Sequence, residues 1–179
     1  MVTASSRVPS ALGPRSGYDQ ITGAGDLDRD GYTDLLARDK AGLLWLYKGT
    51  GSFTTARFKT PVKVGGGWGV YNQLAAAGDI TGDSRADLLA RDKAGILWLY
   101  KGTGSGSVPY NTRTKVGAGW NTYNQLTITG DLTDDGKTDA VARDTAGGLW
   151  LYKGTSKTTA PFATRVKIGG DWNTYNRIF

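Results

Sequence analysis

The phrase GDLDRDGYTDLLARD, from Gly25 to Asp39, holds four aspartates at Asp26, Asp28, Asp30 and Asp34, with a glycine after the third. Carboxylates at alternate positions fold around one centre when a glycine permits the sharp turn between them. The chemistry that suits such a set is capture of a hard cation, Ca²⁺, which takes about six to eight oxygen ligands. The phrase recurs at Gly78 and Gly130. The first candidate set is Asp26, Asp28, Asp30 and Asp34, with the Tyr32 carbonyl as a further donor. The second is Asp79, Thr81, Asp83 and Asp87 with the Arg85 carbonyl, Ser84 standing in the glycine position. The third is Asp131, Thr133, Asp135 and Asp139 with the Lys137 carbonyl, Gly136 being kept. The competing reading is an Asx-turn network, in which the first aspartate accepts loop N–H groups and no metal is needed. In the first loop clustered carboxylates repel one another without a cation, so structural calcium is the expectation there. A threonine removes one charge from each of the other two loops, and both readings stay open for them.

A second set of residues suits stacking. Trp68, Trp120 and Trp172 sit in glycine-rich loops, and Tyr71, Tyr123 and Tyr175 follow three residues later. Flat aromatic faces stack on sugar rings, and Asn121, Asp171 and Asn173 stand beside the tryptophans to bond hydroxyls. The alternative makes each Trp a spacer between neighbouring repeats, and recurrence in every repeat favours it. Trp45, Trp98 and Trp150 lie mid-strand and read as packing residues. Arg38, Arg91 and Arg143 each precede an aspartate, which suggests an Arg–Asp tie between repeats.

Catalysis has little to stand on. The chain has no histidine and no cysteine, and all of its 16 acidic residues are aspartate. That removes the commonest general base and the usual nucleophile pairs. A glycosidase needs two carboxyls roughly 5–10 Å apart in unlike surroundings. The only acids outside repeated slots are Asp19, Asp134 and Asp171, which form no evident pair. The expectation is a chain that is not an enzyme, with an aspartate-dependent glycosidase as the weaker alternative.

What must position these residues is an internal repeat. Gly25, Gly78 and Gly130 open equivalent phrases, 53 and 52 residues apart, and LLWLYKGTG, ILWLYKGTG and GLWLYKGTS follow in step. Each repeat reads as four short strands, in the first near Tyr18–Gly25, Asp34–Asp39, Leu43–Lys48 and Arg57–Val64. In the third, Trp45 and Tyr47 face one side and Leu44 and Leu46 the other. Helical periodicity is absent. A four-stranded unit repeated at roughly 40–50 residues is the pattern of a β-propeller blade. The fold class is therefore all-β and propeller-like, with repeats at 18–70, 71–122 and 123–174 and a closing strand at 175–179. Residues 1–17 read as a flexible arm or linker.

GDLDRDGYTDLLARD followed by LWLYKGTG resembles the FG-GAP/VCBS repeat, in the form found in actinobacterial secreted proteins, over nearly the whole of Tyr18–Phe179. The resemblance implies a β-propeller with calcium between the first two strands of a blade, placed outside the cell. Some members are lectins with sugar pockets between blades, and others bind proteins. The implied partners are a glycan or anionic cell-wall polymer, or else a protein. Propellers have roughly 4–8 blades. Three repeats therefore imply a ring completed by a homo-oligomer, or closure as a threefold β-trefoil.

The formal charge is +6, spread singly through the repeats rather than in blocks. That reads as a solvated surface of spaced Lys and Arg; three bound Ca²⁺ would raise the charge to +12 and suit an anionic polymer, and the repeated aspartate loops argue against nucleic acid. No run of 18 apolar residues offers a membrane span.

Overall fold

The computed structural model describes residues 17–176. The arm expected at 1–17 falls outside them except for Gly17, as do residues 177–179 of the expected closing strand. Tyr175 and Asn176 are described, and they form a bend rather than a strand.

Three separate four-stranded sheets follow one another along the chain. Blade one holds β1 (Tyr18–Gly25), β2 (Asp34–Asp39), β3 (Leu44–Tyr47) and β4 (Val62–Gly65). Blade two holds β5 (Tyr71–Gly78), β6 (Asp87–Asp92), β7 (Leu97–Tyr100) and β8 (Thr114–Gly117). Blade three holds β9 (Tyr123–Gly130), β10 (Asp139–Asp144), β11 (Leu149–Tyr152) and β12 (Val166–Gly169). Each sheet is an antiparallel meander in sequence order, the blade pattern, and not the shared barrel of a trefoil. The first strands lie innermost, β1 against β5 and β5 against β9.

The fourth strand starts later than its sequence suggests. β4 is confined to Val62–Gly65, and β8 and β12, which follow an arginine instead of Pro61, begin at the same step. Phe58 instead makes an isolated bridge with Gly49.

Alternation along the strands gives every interior blade two apolar faces. Leu27, Leu36, Leu44 and Leu46 of blade one pack against Trp68, Tyr71, Leu74 and Leu88. Ile80, Leu89, Leu97 and Leu99 of blade two pack likewise against Trp120, Tyr123, Leu126 and Ala140. Each fully buried leucine contributes roughly 1.5–3 kcal/mol, so these two interfaces are the core.

The chain passes between blades through a 3₁₀ turn that the apolar periodicity does not announce: Trp68–Val70, Trp120–Thr122 and Trp172–Thr174. The Trp120 N–H donates to the Gly95 carbonyl at 2.9 Å. Gly95 has φ +80, and a Cβ there would lie 2.9 Å from Asn121 Cγ, so the contact needs a glycine. The Arg–Asp tie takes another form than expected. Adjacent strand residues face opposite sides, so Arg38 turns away from Asp39. It bonds Asp19 through two nitrogens, at 2.8 and 3.0 Å, and donates to the Trp68 and Tyr71 carbonyls. Arg91 reaches Asn72 Oδ1 and the Trp120 and Tyr123 carbonyls; Arg143 reaches Asn124 Oδ1 and the Trp172 and Tyr175 carbonyls.

The aspartates that follow stay within their own blade. Asp144 Oδ1 accepts the Ala146 and Gly148 N–H groups and Oδ2 accepts Trp150 Nε1–H at 2.7 Å. The Trp150 bond and the turn amides hold this carboxyl below the ordinary carboxylate range, against its partial burial. A folded pKa below the unfolded one means stability that is present above the unfolded value and lost as pH falls through the folded one. Asp144→Asn is expected to lower the melting temperature near neutrality and to make the acid limb shallower. Thermal melts over roughly pH 2 to 7 check this; an acid limb as steep as wild type contradicts it.

Candidate functional site

Two features recur at equivalent places: the aspartate loop between the first two strands of each blade, and an aromatic cluster capped by an arginine beside the first two 3₁₀ turns.

In the first loop Asp26 accepts the Asp30 and Gly31 N–H groups at 3.0 and 2.9 Å. Buried Asp34 accepts the N–H of Leu27 on one oxygen and of Gly49 on the other, so it fastens the loop to the chain beyond β3. Burial pushes its carboxyl up from the ordinary value. The other loops repeat this scheme. Asp79 accepts Gly82, Asp83 and Ser84, and Asp131 accepts Asp135 and Gly136. Asp87 and Asp139 take the place of Asp34, bonding Gly102 and Gly154. Each loop needs two left-handed residues, and glycine fills only one: Arg29 with Gly31, Gly82 with Ser84, Asp134 with Gly136. The Ser84 exchange is thus matched by Gly82 two residues earlier.

One oxygen in each loop is left over. Asp28 Oδ1, Thr81 Oγ1 and Thr133 Oγ1, all at the same loop position, are buried without a hydrogen-bond partner. In the first loop Asp26, Asp28 and Asp34 each offer a carboxylate oxygen within 4.8 Å of the others. This donor set fits a hard cation. Asp30 turns away, with Lys59 Nζ at 2.5 Å from Oδ2 and the Tyr32 N–H on Oδ1. Its carboxyl is lowered chiefly by the Lys59 bond. Lys48 Nζ lies 3.1 Å from Asp28 Oδ2, a cation already beside the site. Among the described residues no second trio of acidic side chains comes together. Asp83 faces Arg85 and Lys101, and Asp135 faces Lys137.

The second feature is built from aromatic rings. Trp120 lies 4.9 Å from Tyr152 and 5.5 Å from Tyr123, ring centre to ring centre. Trp68 repeats this with Tyr100 at 4.8 Å and Tyr71 at 5.6 Å. The phenols pair across the blade, Tyr71 with Tyr100 at 2.6 Å and Tyr123 with Tyr152 at 2.5 Å. Burial and that bond push the Tyr100 and Tyr152 phenols up, so both stay protonated. An exposed arginine closes each cluster. Arg113 stacks 4.0 Å over Trp98 and donates to Tyr71 Oη; Arg165 stacks 4.1 Å over Trp150 and donates to Tyr123 Oη. Between blades two and three this leaves a cleft of about 160 Å³, lined by Gly119, Trp120, Thr122, Tyr123, Tyr152 and Arg165.

Residues 26–90 match the FG-GAP-like repeat. The matched span runs from the first loop aspartate through β2, β3, β4 and β5 to Ala90 in β6, so it holds two aspartate loops and the turn between blades one and two. The third loop lies beyond it and repeats the same bonds. No curated protein matches the chain.

The stacking residues are corrected in part by their surroundings. Trp68, Tyr71, Trp120 and Tyr123 are buried between blades, so their ring faces are covered by the next blade's tyrosines rather than open to a sugar. Asn121 and Asn173 spend Nδ2 on the Lys93 and Thr145 carbonyls. Asp171 takes the left-handed position before the last 3₁₀ turn. Trp172 is half-buried and Tyr175 exposed. Arg113 and Arg165 were not among the expected site residues. Their signal was an arginine at one step in two repeats where the first has Pro61. A cavity of about 500 Å³ runs along β1, β5 and β9. Its polar groups tie strands together: Gln20 Nε2 donates to the Leu74 carbonyl and Gln73 Nε2 to Leu126.

The unpartnered Thr133 hydroxyl gives a direct check. A buried hydroxyl without a partner costs about 1–3 kcal/mol. Thr133→Val, with EDTA present, is expected to match wild type or exceed it by up to about 1 kcal/mol in urea denaturation. A loss of stability contradicts this placement.

Proposed function

We propose that this chain is a non-catalytic, extracellular binding module that holds a glycan or anionic cell-wall polymer in the grooves between its blades. The observation that carries the reading is the repeated cluster of aromatic rings with an exposed arginine at its rim, which between blades two and three opens into a cleft. Tyrosine and tryptophan edges offer apolar contact to sugar carbons. Arg113 and Arg165, with Lys115 and Lys167 exposed nearby in sequence, supply the cationic rim for an acidic group. The extracellular placement and lectin-like role come from the resemblance to FG-GAP proteins.

The same proposal gives the first loop a structural Ca²⁺. Asp26, Asp28 and Asp34 would hold it, with Asp28 Oδ1 supplying the unused oxygen, and its charge would screen three clustered carboxylates. Saturating Ca²⁺ at a hundredfold excess over Kd would stabilise the fold by roughly 2.7 kcal/mol. Melting temperature should rise with Ca²⁺ and fall back with EDTA, and Asp28→Ala should abolish the response. A melting curve indifferent to both ions and chelator overturns the calcium assignment.

A second reading, docking of a protein, is favoured by apolar loop tips. Phe53 and Val108 are exposed in the β3–β4 and β7–β8 loops of adjacent blades. A glycan array probed with and without Ca²⁺ separates the two. Specific hits weakened about tenfold or more in Arg113→Ala/Arg165→Ala support the groove. A blank array in Ca²⁺ overturns it in favour of the loop tips.

A further inference from the structure

The blade interface is seen twice within this chain, and each of its halves is seen a third time, uncovered. At the position where Leu27 of blade one and Ile80 of blade two are each 1% exposed, Leu132 of blade three is 53% exposed. On the opposite face, Leu74 of blade two and Leu126 of blade three are 5% and 6% exposed, whereas their equivalent in blade one, Ile21, is 62% exposed. The outermost strands follow suit. Val62, Val64 and Val116 are packed against the two interior clusters, while Val166 and Ile168 are exposed. The Trp172–Tyr175 ring pair, 5.4 Å apart, already holds the arrangement of Trp68–Tyr71 and Trp120–Tyr123.

The two open faces are therefore the two halves of one interface that the chain builds internally twice. We infer that a second copy of this chain docks on them, blade three of each copy against blade one of the other. Two copies carry six blades, within the range of about 4–8 that closes a propeller. The contact is heterologous, and closure after two copies makes it a finite ring rather than a fibre.

The junction also says how the copies interlock. Asn176 stands in the register slot held by Asp19 in blade one, Asn72 in blade two and Asn124 in blade three. Trp172 and Tyr175 offer their carbonyls to Arg143, and Gln125 Nε2 donates to the Asn176 carbonyl, so the bend at Tyr175 and Asn176 is already held against blade three. In the docked pair Tyr175 and Asn176 take the place of the partner's Tyr18 and Asp19. Asn176 Oδ1 then accepts the partner's Arg38 Nε–H, as Asn72 accepts Arg91. The local price is one Asp19–Arg38 ion pair, and the gain is the covalent route of both internal junctions.

Sedimentation velocity over a wide concentration range tests this, with Ile21→Asp and Leu132→Asp as variants. Both side chains are exposed, so the substitutions leave the single chain folded, which circular dichroism confirms. Wild type should sediment as a dimer and each variant alone as a monomer. Mixing the two variants leaves one of the two contacts intact, and a dimer should reappear in part. A wild-type monomer at all concentrations overturns the inference and points to a further blade of a longer chain as the occupant. Open-ended growth, or a dimer that ignores both substitutions, overturns it as well.

Discussion

A guanidinium that has given up its water holds these blades together. Arg38, Arg91 and Arg143 are buried, and a buried charge is tolerated only when its donors are all well used. Each is used in the same way. Nε, joined in Arg38 by Nη2, bonds a side chain on the first strand of its own blade, and Nη1 bonds two carbonyls of the turn that leads into the next blade. Desolvation lowers the Arg91 pKa, yet the guanidinium remains charged, because its starting value lies so far above neutrality. The turn presents those carbonyls because its Trp N–H is anchored on a left-handed glycine, and the Trp ring then falls between the sheets. Blade orientation, the aromatic floor of the groove and the inner-strand register all follow from this junction.

The two candidate sites stand differently to that frame. The aspartate loops are self-sufficient turns: carboxylates satisfy loop amides, and Asp34, Asp87 and Asp139 fasten each loop to the strand exit. The first loop stands without a cation, with Lys48 and Lys59 beside Asp28 and Asp30. The grooves, by contrast, exist only between blades. In the proposed reading, ligand binding and blade packing draw on the same aromatic residues and on the arginines stacked over Trp98 and Trp150.

Much of the fold was legible because the sequence repeats. Three phrases in step gave the blades, and strict alternation in LWLY gave the faces that the structure pairs. The first two strands of blade one match their expected bounds. The fourth strand did not, because the Gly49–Phe58 bridge, repeated in each blade, acts through the backbone and leaves no apolar pattern. The burial of Trp68 and Trp120 was one of two readings, since a glycine-rich loop looks mobile until the next blade covers it. The Arg38 partner was missed for a simpler reason: adjacency in sequence suggested Asp39, but a strand turns neighbours to opposite faces. The leftover oxygen in each loop had no sequence signal, as it depends on which carboxylates the lysines and amides have already taken.

The junction arginines can be observed directly. Hydrogen exchange at guanidinium Nε–H, followed by nuclear magnetic resonance, compares Arg38, Arg91 and Arg143 with exposed Arg57. The account predicts resolved, slowly exchanging Nε–H signals from all three junction arginines, each slower than Arg57 by orders of magnitude. Exchange as fast as that of Arg57 would contradict it, because the guanidinium would then be in water and the blades held by apolar contact alone.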